Sequence, residues 1–273
     1  MKKIAVYIFC ILFMTVPAAG CTSPNQEHSS IKESTKERSR QKDFSQESEK
    51  DEEVVSTIAK IRTLPAGTVL DTADLKDGRA QECFYSEELT GDIIARIQDK
   101  SYQSNEQITF DDLCYLRVLH MGFDGQTHIG ELIVNQCIAE QVLDVMRELY
   151  EQQYPIEKMV LIDEYDADDE LSMSDNNTSA FNYRVIAGTN RLSKHGQGLA
   201  IDINPKYNPC VRTENGAMIV EPQNGAEYAD RAQEFPYKIT GDDVCCQIFK
   251  EYGFSWGGDW NSLKDYQHFE WEE

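Results

Sequence analysis

Ser193-Lys194-His195-Gly196-Gln197-Gly198-Leu199-Ala200-Ile201-Asp202, answered far downstream by Asp265-Tyr266-Gln267-His268, carries both the fold and the chemistry expected of this chain. His195, Asp202 and His268 are donors of the kind that hold a catalytic zinc and leave its fourth position open. Asp265, just ahead of the last histidine, is placed to move protons on water at that position. His195 and Asp202 are too far apart in sequence to share a helical turn. Gly196 and Gly198 permit the bend that brings both side chains to one point. Ala200 to Ile203 alternates apolar and polar as a strand does, with Asp202 on one face beside Ala200 and Asn204. His268-Phe269-Glu270-Trp271 alternates likewise, so the third donor arrives on a C-terminal strand. Donors drawn from distant segments need a rigid sheet to hold them.

Outward from these segments the pattern is mixed. Leu113 to Met121 and Ile129 to Val134 read as strands of a hairpin, joined through Asp124-Gly125. His120 and His128 flank that turn and are read as core or surface residues. Cys137 to Tyr154 is the clearest helix, with Ile138, Val142, Val145, Met146 and Leu149 on one face and Glu140, Asp144, Arg147 and Glu148 on the other. Met159 to Asp163 reads as a short strand, Asp242 to Tyr252 as a second helix ended by Gly253, and Glu87 to Gln98 as a helix by its apolar spacing. No regular alternation of strand and helix is present. The expected class is α+β, a mainly antiparallel sheet with flanking helices. Residues 57–112 read as an N-terminal extension to a domain spanning 113–273.

The start of the chain reads as an address. Lys2 and Lys3, an apolar run from Ile4 to Val16, and Pro17-Ala18-Ala19-Gly20-Cys21 make a secretory signal over 1–20 rather than a spanning helix. Cys21 after Ala-Ala-Gly resembles the bacterial lipobox, where Leu is more usual at position 18; the resemblance implies a lipidated Cys21 and a protein held to a membrane outside the cytoplasm. An ordinary secreted protein cut nearby is the alternative. From there to about residue 56 the chain is rich in Ser, Glu, Lys, Gln and Arg. Such a segment buries too little surface to offset its ordering entropy and is expected to be a disordered tether.

The chain holds 26 basic and 48 acidic residues, a formal charge of −22. That balance argues against nucleic acid and against polyanionic wall polymers held by bulk electrostatics; it suits recognition of a small motif in a pocket. Of eight cysteines, six lie beyond the signal and Cys21: Cys83, Cys114, Cys137, Cys210, Cys245 and Cys246. An exported protein permits disulfides among them, Cys83 with Cys114 and Cys210 with Cys245 or Cys246 being the pairs expected, and buried thiols being the alternative. The paired Cys-x-x-Cys spacing of a structural zinc site is absent.

Two histidines and an aspartate occur in most chains of this size, so the surrounding pattern decides. Ser-x-His-x-x-Gly-x-Ala-x-Asp is met at 193–202 and acid-x-x-His at 265–268, the latter preceded by Phe254-Ser255-Trp256-Gly257-Gly258-Asp259-Trp260. Over about 113–273 this resembles the VanY-type zinc D-alanyl-D-alanine carboxypeptidases, whose fold is shared with lysostaphin-like peptidases and the hedgehog signalling domain. Asp163-Glu164-Tyr165 and Asn177 to Arg184 resemble the same family. The resemblance implies one zinc ion held by His195, Asp202 and His268, and Asp265 as catalytic acid/base where many members carry Glu. It further implies Arg184 steadying the scissile carbonyl oxygen, and Ser193 supporting the substrate or the His195 loop rather than acting as a nucleophile. Trp256, with Trp260, is expected to wall the substrate cleft, packing against the last strand being the alternative. The substrate so implied is a peptidoglycan stem peptide or its precursor. D-Ala-D-Ala carboxypeptidase comes first and L-alanyl-D-glutamate endopeptidase second. A non-catalytic zinc-containing binding or sensor lipoprotein is the rival of another class, against which the retained base argues.

Overall fold

The computed structural model describes residues 52–186 and 189–272. A helix over 52–62 (α1) is followed by Val69–Leu70 (β1), Tyr85–Glu88 (β2) and Gly91–Ile97 (α2), the last opened by Thr90, whose side chain accepts from the Ile93 amide. Leu113–Met121 (β3) and Thr127–Asn135 (β4) form the long hairpin; Ala139–Glu151 (α3) and Asp169–Ser174 (α4) follow. The C-terminal part contains Ala200–Asp202 (β5), Cys210–Glu214 (β6), Ala217–Glu221 (β7), Val244–Glu251 (α5), Phe254–Trp256 (β8), Lys264–Asp265 (β9) and His268–Trp271 (β10). Among the described residues the strands make three antiparallel sheets, ordered β1-β4-β3-β2, β5-β10-β8 and β7-β6-β9. The class is α+β, antiparallel sheets with flanking helices, compatible with the fold of the resembled peptidases.

β3 and β4 are buried nearly throughout because both faces of the hairpin are covered. One face presents Leu116, Val118, Leu132 and Val134 to the apolar side of α3, where Val142, Val145, Met146 and Leu149 are all buried. The other face sets Leu113, Tyr115 and Ile133 against Ile93 and Ile97 of α2. The segment 57–112, read from the sequence as an extension, therefore supplies two strands and a covering helix to this sheet. Ile58, Ile61, Leu70, Cys83 and Phe84 lie in the main core, and residues 53–273 form one unit. A buried carboxylate secures α2: Glu131 of β4 accepts from Arg96 at 2.9 and 2.6 Å and from the Tyr115 hydroxyl at 2.6 Å.

Several expectations are corrected here. Residues 52–56 belong to α1 rather than to a tether; the rest of the tether, the signal segment 1–20 and Cys21 lie outside the described residues. Glu87 and Glu88 are in β2, so α2 begins only after Thr90. Met159–Asp163 forms no strand. The Asn177 side chain accepts from the Val160 amide at 2.9 Å and donates to the Val160 carbonyl at 3.0 Å, doing for this segment what a neighbouring strand would do. Buried Asn204 does the same for Pro155 and Glu157. Beyond the expected elements, β6 and β7 form a hairpin closed by Asn215-Gly216, both at positive φ (51° and 81°). Finally, Cys83, Cys114, Cys210, Cys245 and Cys246 are buried thiols. The β2–β3 register sets Cys114 opposite Glu88, at the far end of the ladder from Cys83, which rules that pair out.

Candidate metal centre

The β5–β10 ladder builds the site. His268 pairs directly with Asp202, so both side chains stand on one face of the sheet. On its other edge Asp202 forms a bridge with Ser179, whose amide and carbonyl are both engaged at 3.2 and 2.9 Å. His195 comes from a short 3-10 turn, His195–Gln197, that precedes β5. Ser193 shapes this turn: its Oγ accepts from the Gly196 amide at 2.9 Å and its carbonyl from the Gln197 amide at 3.0 Å. Gly198 ends the turn at φ 71°, and a side chain there would come within 2.6 Å of the Asn135 backbone nitrogen. The Ser-x-His-x-x-Gly part of the pattern is thus the local grammar of one tight loop.

All three side chains are buried, and one donor atom from each lies within 4.8 Å of the others. His195 Nε2 is 3.0 Å from His268 Nδ1, and Asp202 Oδ1 is 3.3 and 3.1 Å from these two nitrogens. The opposite nitrogen of each ring has an acceptor. His195 Nδ1 donates to the Ala180 carbonyl at 2.7 Å, and His268 Nε2 donates to Glu270 Oε2 at 3.0 Å. Those acceptors assign the protons, leaving bare lone pairs on the two nitrogens that face each other. Two bare nitrogens and a carboxylate oxygen at such distances repel unless positive charge sits among them.

The electrostatics agree. Burial tends to raise the Asp202 carboxyl, but the charge and hydrogen bond of His195, aided by His268, hold it well below the usual carboxylate range. Burial tends to lower His268; hydrogen bonds donated to Asp202 and Glu270 outweigh it and lift the ring to about 10, so without a cation among the donors the pocket draws positive charge onto this imidazole. Asp265 moves the other way. Burial pushes it up to about 6, with the Asp202 charge adding to the rise and the two histidines opposing it. Its Oδ1 is buried with no hydrogen-bond partner. Two imidazole nitrogens, one carboxylate and a second carboxylate with an unsatisfied oxygen make a donor set that fits a divalent cation of the zinc type.

The structure brings His195, Asp202 and His268 together and sets Asp265 close enough to feel their charges. Asp265 reaches this position because β9 pairs Cys210 with Asp265 and because Gly257 leaves room: a Cβ there would lie 2.6 Å from the Asp265 carbonyl and 2.9 Å from its Cβ. Arg184 is engaged by Asp169, Nε to Oδ2 at 2.6 Å, and Asn182 donates to the other oxygen of that carboxylate at 3.0 Å. Of the alternatives for Trp256 the structure takes packing: it is 5 % exposed, with Nε1 donating to the Tyr266 carbonyl at 3.0 Å. Trp260 is the indole at the site, its ring 5.1 Å from that of His268. It also lines an open groove of about 680 Å³ with Lys250, Ser255, Trp256 and Asp259. Glu270 was missed in the sequence. The only signal was its place two residues after His268, hence on the same face of the strand.

No solved structure matches the chain. Residues 187–271, the stretch that carries all three donors and Asp265, match the family model described as D-alanyl-D-alanine carboxypeptidase.

Proposed function

We propose that this protein is a zinc-dependent peptidase of peptidoglycan stem peptides, first of all a D-Ala-D-Ala carboxypeptidase, acting outside the cytoplasm on a lipid anchor at Cys21. The observation that carries the reading is Asp265: a half-buried carboxylate, raised to about 6, whose buried Oδ1 has no hydrogen-bond partner, beside a His-Asp-His donor set. A purely structural site has no use for such a group, whereas a general base works best with its pKa near the operating pH.

His195, Asp202 and His268 would hold the zinc. When bound, the ion supplies Lewis acidity toward water and toward the scissile carbonyl. Asp265 takes a proton from the attacking water and delivers it to the departing amine. Arg184, oriented through Asp169, offers its outer guanidinium nitrogens to the carbonyl oxygen, a donor role worth about 3–4 kcal/mol in the transition state when well placed. Trp260 packs beside His268 and gives the substrate an apolar wall. The net charge of −22 suits selection of a short peptide over a polyanion.

Digestion of purified muropeptides with and without chelator, followed by mass analysis, tests the reading. Chelator-sensitive loss of one terminal D-alanine is the expected result. Release of the stem at its L-alanyl-D-glutamate bond would make the protein an endopeptidase instead, and no product from zinc-loaded protein would overturn the peptidase reading. For the anchor, Cys21→Ala is expected to move the protein from the membrane fraction to the supernatant.

A further inference from the structure

Glu270 takes no part in the steps above, yet it touches a metal donor. Its Oε2 is 3.0 Å from His268 Nε2, and its side chain is largely buried beside the ring. In the β10 ladder Glu270 stands opposite Ala200 on one side and Ser255 on the other. Directly opposite residues share a face. The Ser255 hydroxyl is buried with no hydrogen-bond partner, a free donor at the position opposite Glu270. Lys194, whose Nζ donates to the neighbouring Trp271 carbonyl at 2.8 Å, adds a positive charge on the same side.

The His268 ring has two choices. With its proton on Nε2 it donates to Glu270, and Nδ1 stays bare toward His195 Nε2 and Asp202. With its proton on Nδ1 it donates to Asp202 Oδ1, 3.1 Å away, and one hydrogen bond then removes two donors from the site. A buried Nε2 left without an acceptor favours the second arrangement, since burying an unpaired polar group is costly.

We propose that Glu270 is a positioning residue that selects the Nε2-protonated form of His268 and so keeps Nδ1 and Asp202 available to the metal. The inference rests on the metal-site reading above and goes beyond it, because it assigns a determinant of metal affinity outside the three donors. Outer carboxylates of this type change metal affinity by about 10–100-fold.

The test compares wild type, Glu270→Ala, Glu270→Gln and His268→Ala by zinc competition against a chromophoric chelator. In the zinc-free proteins, above the pH at which the His268 ring gives up its second proton, histidine ¹⁵N shifts report which ring nitrogen keeps the remaining one. Glu270→Ala is expected to weaken zinc binding about 10–100-fold and to move the His268 proton to Nδ1. Glu270→Gln, whose amide oxygen can still accept from Nε2, is expected to recover the wild-type tautomer and most of the affinity. A merely structural Glu270 would leave the tautomer unchanged. Glu270→Ala binding zinc within twofold of wild type, or keeping the Nε2 proton, overturns the proposal while leaving the metal site intact. Wild type binding zinc no better than His268→Ala overturns the metal site and this inference with it.

Discussion

His268 and Asp202 are direct partners across the β5–β10 ladder, Nδ1 to Oδ1 at 3.1 Å. The pairing makes sheet register and site geometry one property, because a slip of one residue would turn His268 to the opposite face. Phe269, between His268 and Glu270, locks the register from below: it is fully buried and stacks on Phe249 of α5 with centroids 4.1 Å apart. Phe269→Ala is expected to cost about 3–5 kcal/mol of stability. Urea unfolding measures this, and a loss under 1 kcal/mol would show that β10 is held by other contacts.

Asp265→Asn separates metal holding from proton transfer. The amide keeps the size of the side chain and cannot act as a base. Bound metal is expected to remain stoichiometric while kcat falls about 10²–10⁴-fold. Turnover at the native rate would remove Asp265 from the chemistry. Loss of the metal would instead make it a fourth donor.

Gly257→Ala probes the same carboxylate through its backbone. The added methyl would press on the Asp265 carbonyl and Cβ and, at 3.3 Å, on the His268 Cβ. Since the contacts are with backbone and Cβ atoms, no rotamer change relieves them. The variant is expected to lose about 1–3 kcal/mol of stability and more than tenfold in kcat. Wild-type kcat together with wild-type stability would mean that the β9 turn yields freely.

Much of this was legible in the chain itself. The two strands bearing His268 and Asp202 alternate cleanly, and Ser193, Gly196 and Gly198 announce a tight loop, so the donors and their sheet could be read together. β3 also carried an unused message. A run as uniformly apolar as Leu113-Cys114-Tyr115-Leu116 implies cover on both faces, and the second cover is α2, from the segment set aside as an extension. Met159–Asp163 misled because its hydrogen-bond partner is the Asn177 side chain, which no periodicity reveals. Asn215-Gly216 is a strong turn signal, but the strands on either side of it carry little apolar alternation to announce a hairpin. Glu270 had no motif at all: its meaning depends on the ring beside it.

Arg96→Ala tests whether α2 is integral. Glu131 is almost fully buried, and removing its guanidinium partner strands a carboxylate that burial alone would push up. The Arg96 and Tyr115 hydrogen bonds now hold it below its ordinary value. A lowered carboxylate gives stability that is present above its unfolded pKa and lost as pH falls through the folded one. Arg96→Ala is expected to cost about 3 kcal/mol at pH 7 and less at pH 4, where Glu131 can take a proton. An equal loss at both pH values would assign the effect to packing of α2 rather than to the ion pair.

His120 gives the chain an acid limit away from the site. Burial lowers its pKa to about 4, with the His128 charge acting the same way and the Ile156 carbonyl bond and Asp124 opposing. Its Nδ1 donates to the Ile156 carbonyl at 2.8 Å, and Nε2 lies buried without a partner. A base depressed in the fold binds fewer protons there than in the unfolded chain, whose histidine titrates near 6.5, so stability is full above that pH and falls on acidification toward 4. The gap amounts to about 3 kcal/mol. His120→Asn keeps a donor for Ile156 but cannot take the proton. Its stability relative to wild type is expected to improve by about that amount between pH 7 and pH 4 in urea titrations. A wild-type to variant difference that does not change with pH would clear His120 of the acid sensitivity.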